Sequence, residues 1–263
     1  MSWGPFDLTG KSAIVTGGAV GIGFGIATRF IEAGANVLIA DLDGDLAAEK
    51  AAALIGEGKP MAVTVDVASP EAGQRLVDEC VATFGSVDIL VNNAGVYPMT
   101  PMLQATREAW QRVIDINLTG LAFVSKAVGT RMVEQGVGGK IINIASIDAL
   151  HPSMIGLAAY DSSKGGVLMF TRSFALEMAQ HRVNVNAIAP GGIATEGTAA
   201  PLRGSGMSEE EMNAMIEQFA AGIPLGRMGD PDDIAKVAVF LASPASDYMT
   251  GELVVVDGGV LLS

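Results

Sequence analysis

The sequence predicts an α/β fold, with one parallel sheet carrying helices on both faces. Three observations point to it. Short apolar runs alternate with helical segments along the whole chain, the order that parallel strands with helical crossovers produce. Several of those runs end on a glycine, an acid or an asparagine, as strands do when their C-terminal ends form a ligand-binding rim. Of the 263 residues, 49% are hydrophobic and 17% charged, with 33 glycines and few aromatics. That balance supports one large core and many tight strand-to-helix turns. There is no repeat or low-complexity linker, so residues 1–263 read as a single domain.

The first predicted strand, Ser12-Ala-Ile-Val-Thr-Gly17, runs into Gly18-Ala-Val-Gly21-Ile22-Gly23. A helical pattern follows, with Ile26, Phe30 and Ile31 on one face. Strand, glycine-rich turn and helix together form the setting of a dinucleotide site. The glycines let the backbone approach a pyrophosphate, whose charge rests on the helix N-terminus. The second strand, Asn36 to Ala40, ends at Asp41, eighteen residues after Gly23. A carboxylate there can accept hydrogen bonds from an adenosine ribose and repels a 2′-phosphate. The glycine loop holds no Arg or Lys to offset that repulsion, so NAD is expected rather than NADP. The alternative for Asp41 is an ordinary acid in a strand-end turn.

The third strand covers Met61 to Asp66, followed by Val67, and a helix spans about Pro70 to Phe84. The fourth strand, Val87 to Val91, leads into Asn92-Asn93-Ala94-Gly95. A long helix, about Arg107 to Gln135, contains Asn117, and the strand Lys140 to Ala145 ends at Ser146. The next helix, Leu157 to Met178, carries Tyr160 and Lys164. After Thr195 the chain turns small and glycine-rich as far as Gly206. Ser208 and Glu211 then read as the N-cap and first turn of a short helix through Ala220. Met207, Met212, Met215 and Phe219 give it an adaptable apolar side. A helix from Pro231 to Leu241 and a last strand, Glu252 to Asp257, complete the chain.

Tyr160 and Lys164 stand four residues apart, hence on one helix face. A free tyrosine has a pKa near ~10 and needs a shift of roughly 3 units to act as a base at neutral pH. One cation about 4 Å away supplies about that much at an effective dielectric of 20. The pair reads as an acid/base with its tuning charge attached, or more plainly as a surface Tyr beside a solvated Lys.

Taken together, the chain resembles the short-chain dehydrogenase/reductase family. The matching residues are Thr16-Gly17-x3-Gly21-Ile22-Gly23, Asp41, Asp66-Val67, Asn92-Asn93-Ala94-Gly95, Asn117, Ser146, Tyr160-x3-Lys164 and Pro190-Gly191-x-Ile193-x-Thr195. The resemblance implies a Rossmann-type doubly wound sheet of seven strands in the order 3-2-1-4-5-6-7, and a homotetramer. It implies NAD-dependent interconversion of a secondary alcohol and a ketone. Tyr160 would then be the general acid/base, and Lys164 would lower its pKa and bind the nicotinamide ribose. Ser146 would donate to the substrate oxygen, and Asn117 would position a water in the proton relay. For the cofactor it implies contacts from Gly17, Val20, Gly21, Ile22, Gly23, Asp41, Leu42, Asp66, Val67, Asn93, Ala94, Gly95, Ile193 and Thr195. It also makes residues of about 195–224 a substrate lid, the alternative being a helix packed permanently on the domain. An NADPH-linked 3-oxoacyl thioester reductase and a non-catalytic dinucleotide sensor are the competing readings.

The segment between Ser146 and Tyr160 must pass the substrate, which makes Asp148 and His151 candidate polar contacts, with Glu196 beside them after Thr195. Solvated loop residues are the plain alternative. Their polarity favours a sugar or polyol, while the Met-rich segment suits a cyclic alcohol equally well. With two His and one Cys, no metal cluster at ligand spacing is expected. A net charge of −13 argues against nucleic-acid or anionic-membrane partners and favours solubility. The single Cys80 fits a reducing compartment and a buried thiol. The absence of a signal-like start and of a long apolar run leads to a cytoplasmic expectation. Apolar residues on the long helix (Trp110, Val113, Ile114, Leu121, Val124, Val128, Met132) and on the Tyr160 helix (Leu168, Met169, Phe174, Leu176, Met178) exceed what one sheet face needs, which suggests partner surfaces.

Overall fold

The computed structural model describes residues 3–196 and 208–263. The glycine-rich part of the expected lid, with Met207, lies outside the described residues.

Seven parallel strands form one sheet in the order β3-β2-β1-β4-β5-β6-β7. They are β1 (Ser12–Thr16), β2 (Asn36–Asp41), β3 (Pro60–Thr64), β4 (Ile89–Asn92), β5 (Gly139–Ile144), β6 (Val183–Pro190) and β7 (Leu253–Val256). Strand β1 is central: Ile14 pairs with Leu38 on one side and Leu90 on the other. All of β1 and β4 is buried, as expected when helices cover both faces of a sheet.

Helices α1 (Gly21–Glu32) and α8 (Pro231–Ala242) cover one face. Ile26, Phe30, Ile31, Ile234 and Leu241 pack there against Val15 and Ile39. Helices α3 (Ala72–Phe84), α5 (Leu121–Gln135) and α6 (Ala158–Met178) supply the other face through Leu76, Cys80, Val124, Val128, Met132 and Met178. Burial pushes the Cys80 thiol up to about 12, so it is an inert core group.

Two elements carry no clear signal in the sequence. Strand β6 is interrupted by Asn184 and Asn186, whose amides donate to the carbonyl of Met249 at 2.9 and 3.0 Å. Helix α2 (Gly44–Ala53) has little apolar pattern and is started by Asp43, which accepts from the Leu46 N–H at 3.0 Å.

The helix expected over 107–135 is continuous and contains a π-helical turn: α4 (Arg107–Ile114) runs through Asp115–Gly120 into α5. The widened turn brings Gly120 against β3's exit, where a Cβ would lie 2.5 Å from the Val67 carbonyl. Extra turns of this kind often sit at functional sites, and this one holds Asn117. The stretch 107–135 is long and apolar enough for a membrane span by length and composition. It packs against α3 and α6 and the sheet, so its composition is that of a core helix.

Helix α7 (Glu209–Ala221) starts with the expected capping box: Ser208 accepts from the Glu211 N–H at 3.2 Å, and Glu211 accepts from the Ser208 N–H at 2.8 Å. Met215 and Phe219 on it are about half exposed.

Candidate active site

The glycine loop between β1 and α1 is shaped for backbone approach. Gly17 has φ +59°, and a Cβ there would lie 2.9 Å from the Ala94 Cα. A Cβ on Gly23 would land on the Gly17 carbonyl and the Asn93 amide. Helix α1 has Val20 at its N-cap and no side-chain cap, so its first N–H groups face outward unclaimed by a side chain. Such a terminus is suited to a phosphate. The loop is held from β4. The Thr16 hydroxyl accepts from the N–H groups of Asn93 and Ala94 at 3.0 and 3.2 Å. The Asn93 amide donates to the carbonyls of Thr16 and Gly17 at 3.1 and 2.8 Å.

Asp41, at the end of β2, accepts from the Ala19 N–H at 3.0 Å and from the Asp43 N–H at 3.3 Å. Its carboxylate thus ties the glycine loop to the second strand, and each oxygen keeps a lone pair for a further donor. Leu42 and Asp66 line a cavity of about 560 Å³ together with Ala68, Arg107, Gln111 and Arg112. Gly21 faces Thr195, whose side chain would lie 3.3 Å from a Cβ there. Ile193 is buried and bridges to Gly229. The glycine cradle, the uncapped helix start and the strand-end acid fit an adenine dinucleotide.

The four residues of the expected catalytic set lie at the C-terminal ends of β4 and β5. Lys164 is buried, and its Nζ donates to the Ile144 carbonyl at 2.7 Å while lying 5.6 Å from the centre of the Tyr160 ring. Asn117 is fully buried, donating to the Val96 carbonyl at 2.8 Å and to the Ser163 hydroxyl at 3.1 Å. Ser163 in turn donates to the Tyr160 carbonyl at 2.6 Å. A buried chain fixes α6 to the sheet: Asn92 donates to Asn143 at 2.9 Å, and Asn143 donates to Thr171 at 2.9 Å.

The electrostatics of the protein alone differ from the sequence expectation. Burial pushes the Tyr160 phenol up to about 12, with Asp148, Tyr97 and Asp161 adding to the rise and a hydrogen bond with Ser146 opposing it. Burial likewise pushes Lys164 down to about 8. The ammonium sits over the ring face and donates to the Ile144 carbonyl.

Ser146 also departs from the simple donor role. Its hydroxyl donates to Asp148 Oδ2 at 3.0 Å and accepts from the Asp148 N–H at 3.1 Å. Of the three candidate substrate contacts, Asp148 is therefore at the site, whereas His151 and Glu196 are solvent-exposed. Two further residues stand at the site: Tyr97, which sequence reasoning missed, and Asp161, which it notes only as a departure beside Tyr160. Tyr97 stands edge-on to Tyr160 with ring centres 6.0 Å apart, and its phenol meets Thr195. Asp161, beside Tyr160, is raised by burial and by Asp148. Tyr97 follows the Asn-Asn-Ala-Gly turn by two residues, and that spacing was the available signal.

Comparison with known proteins adds four findings. A family model described as enoyl-(acyl carrier protein) reductase matches residues 17–261. Galactitol 2-dehydrogenase of Agrobacterium fabrum is 41% identical over 261 residues, covering 97% of this chain and 99% of that protein. The 3beta-hydroxysteroid dehydrogenase 1 of Eggerthella lenta is 38% identical over 258 residues, covering 97% of this chain and 95% of that protein. The crystal structure of a short-chain type dehydrogenase/reductase from Mycobacterium marinum superposes with a TM-score of 0.90 at 36% identity, covering all of both chains.

Proposed function

The chain belongs to the short-chain dehydrogenase/reductase family, and we propose that it is an NAD-dependent dehydrogenase interconverting a secondary alcohol and a ketone. The observation that carries the proposal is the Tyr160 phenol, with the Ser146 hydroxyl and the Lys164 ammonium beside it.

The glycine loop and α1 would hold the pyrophosphate, Asp41 the adenosine ribose, and the segment Ile193 to Thr195 the nicotinamide end. When bound, the nicotinamide supplies the hydride acceptor and, in its oxidised form, a positive charge. Tyr160 takes the carbinol proton during oxidation and returns it during reduction. Positive charge beside the phenol favours its ionised form, offsetting the burial that keeps Tyr160 neutral in the protein alone. Lys164 contributes to that charge and is held in register by Ile144. The side chain of Asn117 is committed to Val96 and Ser163.

Asp41 supports NAD over NADP by repelling a 2′-phosphate. Asp148 supports a hydroxylated substrate such as a sugar or polyol, in keeping with a relative named for galactitol. The relative named for a 3β-hydroxysteroid supports a cyclic alcohol as the second substrate class. The description of the matching family model favours one other reading, an NADPH-linked reductase acting on acyl thioesters. A panel of polyols, cyclic alcohols and 3-oxoacyl thioesters, each with both cofactors, tests these readings. Hydride transfer absent from the whole panel while NAD still binds would leave a dinucleotide sensor instead.

A further inference from the structure

We infer that Asp148 is a positioning residue that accepts the hydrogen bond of the Ser146 O–H and so presents Ser146 to the substrate as a hydrogen-bond acceptor, making the site bind the alcohol in preference to the ketone. This rests on the dehydrogenase reading above.

A hydroxyl has one proton and two lone pairs. Ser146 Oγ lies 3.0 Å from Asp148 Oδ2 and 3.1 Å from the Asp148 backbone nitrogen. A backbone N–H only donates, so Ser146 accepts there, and its own O–H is directed at Asp148 Oδ2. The Ser146 O–H donates to Asp148, and one Ser146 lone pair accepts from the Asp148 N–H. What Ser146 can offer towards Tyr160 is its remaining lone pair. A ketone oxygen carries no proton and needs a donor. A carbinol brings its own proton and can give it to Ser146 or Tyr160. The site as built meets the second requirement and leaves the ketone with Tyr160 as its one donor.

The same proton is contested by Tyr160. The Ser146 contact favours the ionised phenol, but a phenolate needs Ser146 to donate, and the Ser146 O–H is directed at Asp148. The groups facing the phenol come from three elements: Tyr97 after β4, Ser146 and Asp148 after β5, and Asp161 and Lys164 on α6. Asp148, Tyr97 and Asp161 all oppose ionisation. One oxygen of Asp148 and one of Asp161 are buried without a hydrogen-bond partner, so neither carboxylate is fully screened. Removing the Asp148 charge therefore does two separable things: it frees the Ser146 proton for a ketone or phenolate, and it lowers the pH at which Tyr160 ionises.

The test compares the parent with Asp148→Ala and Asp148→Asn, using cyclohexanol with cyclohexanone and butane-2,3-diol with 3-hydroxybutan-2-one. The overall equilibrium fixes the ratio of the two kcat/KM values, so the readout is KM. Asp148→Ala should lower the KM of the ketone relative to that of the alcohol by about tenfold, the scale of one hydrogen bond. Asp148→Asn, whose amide oxygen still accepts but more weakly, should fall between parent and Ala. In both, the pH profile of kcat/KM for oxidation should move down by about one unit, the size a neighbouring charge produces. Should Asp148→Ala fail to fold, the near-isosteric Asn variant decides. A KM ratio within twofold of the parent with an unmoved profile would make Asp148 a structural prop and overturn the inference. A folded variant that binds NAD but turns over neither pair would also overturn it. Failure of the parent itself on every alcohol is a different result: it removes the dehydrogenase reading before any variant is made.

Discussion

Asn117 and Val96 close a ring of two hydrogen bonds: the Val96 N–H donates to the Asn117 amide oxygen at 2.8 Å, and the Asn117 amide donates to the Val96 carbonyl at 2.8 Å. The π-helical turn is thereby locked to the segment that carries Tyr97. Asn117→Ala leaves both Val96 groups without these partners. It should cost about 1–3 kcal/mol of stability and lower turnover together, because Tyr97 and Tyr160 lose their mutual register. Urea unfolding and steady-state rates measured side by side check this. A variant with parental stability and a lost rate would place Asn117 in the chemistry through its side chain instead.

Tyr160→Phe should keep cofactor affinity and lose about 10²–10⁴-fold in turnover, the usual effect of deleting a positioned acid/base. The sign of the pH dependence follows from the phenol, pushed up to about 12 in the protein alone. Oxidation needs the phenolate, so its rate should climb with pH. Reduction needs the phenol, so its rate should stay level and then fall at alkaline pH. The rising limb should be missing in Tyr160→Phe. A rate within a few-fold of the parent would take Tyr160 out of the mechanism.

Lys164 yields a stability prediction opposite in sign to its functional value. Its ammonium is lowered from 10.5 to about 8 by burial, so the unfolded chain holds a proton between those two pH values that the folded chain does not. The folded state is therefore penalised below pH 8 and relieved as pH rises to 10.5, by on the order of 3 kcal/mol at about 1.4 kcal/mol per unit. Lys164→Met removes the penalty, partly offset by leaving the Ile144 carbonyl without its donor. The variant should match or exceed the parent in stability at pH 7.5 and lose that advantage towards pH 10.5, while binding NAD more weakly and moving the oxidation profile to higher pH. A stability difference independent of pH would contradict the buried charged state.

Asp41 joins two functions that one substitution separates. Asp41→Ala should narrow the preference for NAD over NADP by removing the repulsion of a 2′-phosphate. It should also raise the KM for both cofactors, because the Ala19 N–H loses its acceptor at 3.0 Å. Comparing kcat/KM with each cofactor in parent and variant separates the effects. Equal or better use of NADP by the parent would remove the ribose role from Asp41.

The fold was legible because its signals are local. Apolar β1 before Gly17 and the helix face shared by Tyr160 and Lys164 each lie within a single element, and the spacing to Asp41 spans only α1 and β2. The order of the strands came through the family resemblance, and the sheet bears it out. Strand β6 was obscured because Asn184 and Asn186 spend their polarity on the Met249 carbonyl, a contact across more than sixty residues. The π-helical turn inside the long helix was hidden for a similar reason, since Asn117 is drawn to Val96 from another element. At the site, residue identities were readable but hydrogen-bond partners were not. No spacing says that Ser146 donates to Asp148, or that Lys164 donates to Ile144.

Assembly is the last prediction, and the structure narrows which residues can carry it. Most of the apolar residues noted on the long helix are used inside the chain: Val113, Leu121, Val124, Val128 and Met132 are buried. Leu168 and Met178 on α6 are buried as well. What remains outward is Phe123 on α5, 58% exposed, with Met169 and Leu176 on α6, 57% and 83% exposed. A Cβ added to Gly165 on α6 would meet nothing within 4 Å, so that helix also presents a flat stretch to solvent. Large apolar side chains on two adjacent helices form the kind of surface that finds a copy of itself, and a two-fold axis is the economical way to cover it. We expect a homo-oligomer, a tetramer if a second face pairs as well. Leu176→Glu combined with Met169→Glu should lower the mass measured by light scattering at micromolar concentration while leaving the fold intact by circular dichroism. A parent that is already monomeric under those conditions would refute the assembly, and an unchanged mass in the double variant would move the interface off α6.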